Sequence, residues 1–179
     1  MKGVVFNLLE QAVTTAHGED VWADLLDDAE LDGAYTSLGS YPDAEMLALV
    51  AVASKHLNLP APAVLRWFGR SAMPMLAERY SQFFKGHTSA RGFILSVNDI
   101  IHPEVRKLYS GAGCPYFHFS NDPDGRLMIG YQSDRQLCHL AHGFVEGAAD
   151  QFNETIELEH ISCMQDGASV CRMAVHWFQ

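Results

Sequence analysis

Near residue 110 the spacing of apolar residues changes from a helical period to a strand period, and that change limits the folds open to this chain. Upstream, Val4, Phe6, Leu8, Leu9, Ala12, Val13 and Ala16 predict a helix from about Gly3 to His17. Val21, Trp22, Leu25 and Leu26 predict a shorter one that ends at Asp27-Asp28. Tyr41-Pro42-Asp43 leads into a third, through Met46 to Ala53, and Leu59-Pro60-Ala61-Pro62 breaks it. Val64 to Leu76 carry a fourth, in which Gly69 marks a close-packing point or a bend. A further helical region runs from about Thr88 to Tyr109. Downstream, Tyr116 to Ser120 and Leu127 to Tyr131 alternate around the turn Asn121-Asp122-Pro123-Asp124-Gly125, which reads as a hairpin. Leu137 to Phe152 is helical again. Ile156 to His160 and Val170 to Trp177 suggest a second hairpin about Gln165-Asp166-Gly167. The expectation is an α+β fold: a helical N-terminal half packed on a four-stranded antiparallel sheet with an inserted helix. With 179 residues, 48% of them hydrophobic, one domain can bury a sizeable core.

Within the strand-rich half, Cys138, His160, Cys163 and Cys171 form a Cys-x21-His-x2-Cys-x7-Cys array. Three thiolates and an imidazole make a complete tetrahedral zinc set, closed and therefore structural, with no open position for catalysis. Oxidation of a cysteine would open it. The residues alone also admit small core cysteines without a metal. Cys114 lies outside the array and reads as a packing residue. Tyr131, Ser133 and Arg135 share one face of an extended segment at i, i+2, i+4 and offer donors suited to a carboxylate; a solvent-facing polar edge fits the same pattern. His102 lies on the helical face of Leu95, Val105 and Tyr109, and apolar surroundings favour the neutral imidazole that metals bind. A half-buried histidine with a hydrogen-bond partner is the other reading. Pro103 lacks an N–H, so a helix starts or bends at that point.

The formal net charge of −10 and the lack of a basic cluster argue against nucleic acid or an anionic membrane as partner. No run approaches the roughly 20 apolar residues of a membrane span, and the N-terminus lacks a signal-peptide pattern, so a cytoplasmic location is expected.

Taken in order, Met1-Lys2-Gly3, Asp99-Ile100-Ile101-His102, Pro115, Tyr131-x-Ser133-x-Arg135 and Gly143-Phe144-Val145-Glu146-Gly147 resemble the H-NOX family of haem-based nitric oxide and oxygen sensors over essentially the whole chain. The resemblance implies a single domain over 1–179, with 1–60 a helical distal subregion and 61–179 the proximal helix and sheet, and b-type haem between them. His102 would be the proximal iron ligand, Tyr131, Ser133 and Arg135 would clamp the propionates, and Pro115 would press on the porphyrin. The cysteine–histidine set resembles the Zn2+ site of a bacterial subset.

Oxygen-binding members carry a distal tyrosine where this chain has Leu140, and Val5, Leu9, Met73, Leu76 and Phe144 would complete an apolar distal wall. The resemblance therefore implies a ferrous haem that binds nitric oxide and carbon monoxide but not oxygen, and that signals by release of His102. Stand-alone members regulate a histidine kinase or a diguanylate cyclase, so a two-component partner is expected. No nucleophile triad or phosphate-cradling loop stands out, so no enzymatic activity is expected. A haem enzyme of the peroxidase kind would need a distal acid–base group, and His139 and His142 lie on that helix with undetermined faces. The other alternative is a haem-free, zinc-containing small-molecule module of the vinyl-4-reductase type, which the Gly143 to Gly147 and Cys163 to Cys171 stretches also resemble.

Overall fold

The computed structural model describes residues 1–178. The helices are α1 (Gly3–His17), α2 (Glu19–Asp28), α3 (Asp43–Leu57), α4 (Ala61–Arg79), α5 (Ala90–Leu95), α6 (His102–Leu108) and α7 (Cys138–Gln151). The strands are β1 (Tyr116–Asn121), β2 (Leu127–Gln132), β3 (Ile156–Ser162) and β4 (Cys171–Trp177), in one antiparallel four-stranded sheet of order β1-β2-β4-β3. The expected α+β architecture is therefore present, with α7 inserted between the hairpins. Among the described residues, no single helix is long and apolar enough to cross a membrane.

Local chemistry explains the boundaries. Asn58, in the left-handed conformation, ends α3 just before the proline break, and Pro62 occupies the first turn of α4, where its missing N–H has no helical partner to lose. The Asp122 carboxylate closes the first hairpin by accepting from the Asp124 and Arg126 N–H groups at 3.1 and 2.8 Å. It aligns Phe117 with Tyr131 and Phe119 with Ile129.

The stretch expected as one helical region from Thr88 to Tyr109 is three pieces. Ser89 caps α5 by accepting from the Gly92 N–H at 3.1 Å. Residues Val97–Ile101 then form a π-helical segment, in which the Ser96 carbonyl accepts from both Ile100 (2.8 Å) and Ile101 (3.3 Å). Helix α6 starts at His102, where Pro103 is expected to force a new beginning.

Two apolar clusters form the core. One centres on Phe6, Trp22, Met46, Leu49 and Phe68 from α1 to α4. The other joins α5 and α7 to the sheet through Ile94, Ile129, Val145, Met173 and Val175. Helix α4 serves both, giving Phe68 and Ala72 to the first and Met73 to the second. It packs hard against α7. A Cβ on Gly69 would lie 2.3 Å from the Leu140 carbonyl oxygen, and one on Gly143 would lie 2.0 Å from that of Arg66, so only glycine allows this approach. Two bidentate pairs tie the same helices. Arg66 donates to Glu146 at 2.7 and 2.5 Å, and Arg70 donates to Asp150 at 2.5 and 2.9 Å.

Candidate haem cavity and metal cluster

Between the clusters lies a cavity of about 560 Å³, within the range of ~300–1,000 Å³ usual for small-molecule and cofactor sites. One wall comes from α1, α4 and α7. Of the residues expected there, Val5, Met73, Leu76, Leu140 and Phe144 line it. Leu9 does not. It is buried among the α1–α4 residues, and Leu8, one position earlier and about 100° around the helix, lines the cavity with Val4 and Val5. None of these side chains carries a hydrogen-bond donor. Tyr80, just past the end of α4, is also on the lining, and its hydroxyl is bonded to that of Tyr109.

The lining also carries His102, Pro115 and Cys114. The His102 ring stacks against Phe117, with centroids 5.9 Å apart, and its Nδ1 is sealed from the cavity, beside the Pro115 backbone. Burial pushes its pKa down to about 4, the Arg106 charge adds to the depression, and the Pro115 backbone opposes it. The imidazole is therefore neutral at pH 7 and available as a ligand.

The segment bearing His102 is held mainly at its ends. The Asn98 side chain pairs with β1 at two points, donating to the Phe117 carbonyl at 2.6 Å and accepting from the Phe117 N–H at 3.1 Å. At the far end the Tyr109 and Tyr80 hydroxyls bond to each other, and Lys2 Nζ donates to the Ser110 carbonyl at 3.1 Å.

Tyr131, Ser133 and Arg135 also line the cavity, but not as one continuous strand face. Strand β2 stops at Gln132, because the chain turns through Gln136 at φ 52° to enter α7. The Tyr131 hydroxyl accepts from the Leu137 N–H at 3.1 Å, and Ser133 Oγ accepts from the Arg135 N–H at 3.3 Å. Arg135 Nε donates to Asp43 at 2.8 Å and Nη1 to the Gly113 carbonyl at 2.7 Å. Asp43, at the start of α3, was invisible to local pattern reading because 92 positions separate it from Arg135. A large apolar cavity with a neutral imidazole on its lining and an Arg, Ser and Tyr group at its edge fits a flat apolar macrocycle that carries iron and acid groups.

The cysteine–histidine array converges on the other side of α7. Cys138 begins α7, His160 lies on β3, Cys163 follows β3 and Cys171 begins β4. Their ligand atoms all lie within 4.8 Å of one another. Cys163 Sγ is 3.5 Å from that of Cys138 and 3.9 Å from that of Cys171. Sulfurs ~2.3 Å from a tetrahedral ion would be ~3.8 Å apart, so these spacings match such an ion. Burial, and then the neighbouring thiols, push the Cys138 thiol well above its usual range, and burial raises Cys171. A cation at the centre reverses that penalty. Both ring nitrogens of His160 are buried without partners. The four residues could thus hold a metal ion. Cys114, by contrast, faces the haem-sized cavity and stands outside the cluster. His139 and His142 are absent from the cavity lining and turn their rings toward His160, with centroids 4.8 and 6.2 Å away.

The Haem-NO-binding family model matches residues 2–160. The chain belongs to that family. A crystal structure of an H-NOX protein from S. oneidensis in the Fe(II)NO ligation state is 32% identical, with TM-score 0.93 and 100% of each chain covered. An NMR structure of an H-NOX domain from Shewanella oneidensis in the Fe(II)CO ligation state is also 32% identical, with TM-score 0.89 and coverage of 100% of this chain and 99% of that one. A crystal structure of the Fe(II) unliganded H-NOX protein from K. algicida is 25% identical, with TM-score 0.85 and coverage of 100% and 97%. These matches do not favour the haem-free alternative.

Proposed function

We propose that this H-NOX chain is a haem-based sensor that binds nitric oxide, and not oxygen, and that passes the signal to a separate effector by release of His102. One observation carries the reading. The cavity lining joins the neutral, half-buried imidazole of His102 to five side chains, Val5, Met73, Leu76, Leu140 and Phe144, that carry no hydrogen-bond donor. Ferrous b-type haem, held by His102, would supply the iron that takes a diatomic gas. Every other requirement falls on the protein.

His102 would hold the iron, with Arg135, Ser133 and Tyr131 toward the propionates and Pro115 pressing on the ring. Leu140, Phe144, Met73, Leu76 and Val5 exclude water from the distal side. They give no stabilising donor to a ligand that carries negative charge, so they select against oxygen. Once His102 is free of its ligand position, the π-helical segment supplies the local give, since such segments are costly and commonly mark functional sites. Residues 97–109 then shift against β1 and α4. The population moves only if gas affinity differs between the two positions of that segment. The cysteine–histidine cluster would hold Zn2+ as a closed structural site. A histidine kinase or diguanylate cyclase would read the shift, the chain itself acting as sensor and not as catalyst, in the cytoplasm.

The test is an absorption spectrum of the reduced, haem-supplied protein in argon, in air and with nitric oxide. The expected result is a change with nitric oxide and no stable oxygen complex in air. A stable oxygen complex would overturn the selectivity, and no Soret band after haem supply would overturn the haem reading.

A further inference from the structure

Helix α7 turns His139, His142 and Glu146 away from the cavity, and the sensor reading uses none of them. His142 is 5% exposed and neither ring nitrogen has a partner. Glu146 is 9% exposed and takes both arms of Arg66, at 2.7 and 2.5 Å. His142 Nε2 stands 3.8 Å from Glu146 Oε1, so closing by ~1 Å brings the pair into hydrogen-bond range. On the other side its ring centroid is 6.2 Å from that of His160, whose two nitrogens are also buried and unpartnered.

One nitrogen of His160 would ligate an ion held among the three thiolates. The other then carries an N–H that needs an acceptor in a buried space, because an orphaned buried donor loses its hydration without replacement. Ligating histidines almost always donate that second N–H to a carboxylate, a carbonyl or a water. Two rings face it. His139 is closer, at 4.8 Å between centroids, but is partly exposed and has solvent available. His142 has no solvent, so its own orphaned nitrogens are relieved only within this cluster.

We propose that His142 and Glu146 are positioning residues for the metal ion. His142 turns an acceptor toward the outward N–H of His160, and Glu146, held by Arg66, fixes the His142 tautomer. The inference rests on the zinc reading of the cluster. It makes a continuous polar line from the ion to α4, through His160, His142, Glu146 and Arg66, where an apolar residue at 142 would serve packing equally well.

The experiment is a competition titration of Zn2+ against a chromophoric chelator, using the full chain under reducing conditions, with metal-free thermal melts beside it. His142→Ala is expected to weaken Zn2+ affinity 10- to 100-fold, the usual loss for an outer partner of a ligating histidine. His142→Phe keeps the volume and is expected to show the same loss, and so stands in should the alanine variant not fold. His142→Gln restores an acceptor and should return to within about threefold of the parent, which a packing role would not produce. Glu146→Gln is expected to lose about tenfold. Parental affinity in His142→Phe, or a loss confined to His139→Ala, overturns the inference and leaves the zinc reading standing. A parent chain that binds no Zn2+ overturns both.

Discussion

The α4–α7 pair and the segment from Val97 to Leu108 line the same cavity and are built in opposite ways. Ten residues of α7 are buried, whereas neither the π-helical segment nor α6 buries any. Glycine contacts and two bidentate ion pairs lock α4 to α7. The His102 segment is tied by Asn98 near its start, and by Tyr109 and Lys2 at its end. Tight packing resists continuous deformation, while a few polar contacts at element ends give way together. The contrast fits one wall as a frame, and under the proposed function the other is the part that moves.

The difference can be broken from either side. Gly143→Ala should do the most damage, because its Cβ would fall 2.0 Å from the Arg66 carbonyl oxygen. A loss of about 3 kcal/mol is expected in a denaturant melt, with the cavity wall distorted. Acid should loosen the same frame. Burial opposes the charge on Glu146, yet His142 and Arg66 together hold its pKa down at about 2, below the ordinary 4.5. That contribution is complete above about pH 4.5 and is lost as pH falls toward 2. Because Arg66 is half exposed, ~2 kcal/mol is expected, and a pH series of melts on Glu146→Gln should lack this component.

On the moving side the effects are smaller in stability and larger in signalling. Asn98→Ala removes both bonds to Phe117 and should cost ~1–2 kcal/mol, with faster amide exchange in residues 97–102 and no change in α7. Tyr109→Phe removes one hydroxyl pair and should cost about 1 kcal/mol or less. It should bring partner regulation part of the way toward that of His102→Gly, which frees the segment without gas. Leu140→Tyr should change stability least, since the side chain points into the cavity, yet it supplies the missing donor. Oxygen retention by the reduced variant in air is the expected readout.

Much of the frame was legible in sequence. Alternation about Asp122 marked the first hairpin, and Gly69 marked a close-packing point or a bend, of which the structure shows the first, against α7. The cysteine–histidine array was legible as well, and the structure gathers all four residues. The moving side was less so. No residue pattern announces a shift from i+4 to i+5 hydrogen bonding, so the break before His102 was legible only through Pro103. The one-position difference between Leu9 and Leu8 reflects two apolar neighbours on a helix buried on more than one side. Asp43 as partner of Arg135, and Asn98 as a clasp on β1, depend on tertiary contacts that no local spacing encodes.

The central claim is that His102 binds iron as the breakable link between gas and protein movement. It is tested most directly by reduced-state absorption spectra of His102→Ala, haem-supplied, without and with added imidazole. The account predicts a weakened or displaced ferrous spectrum that imidazole restores to the parental form. A parental ferrous spectrum in the variant before imidazole is added would contradict it.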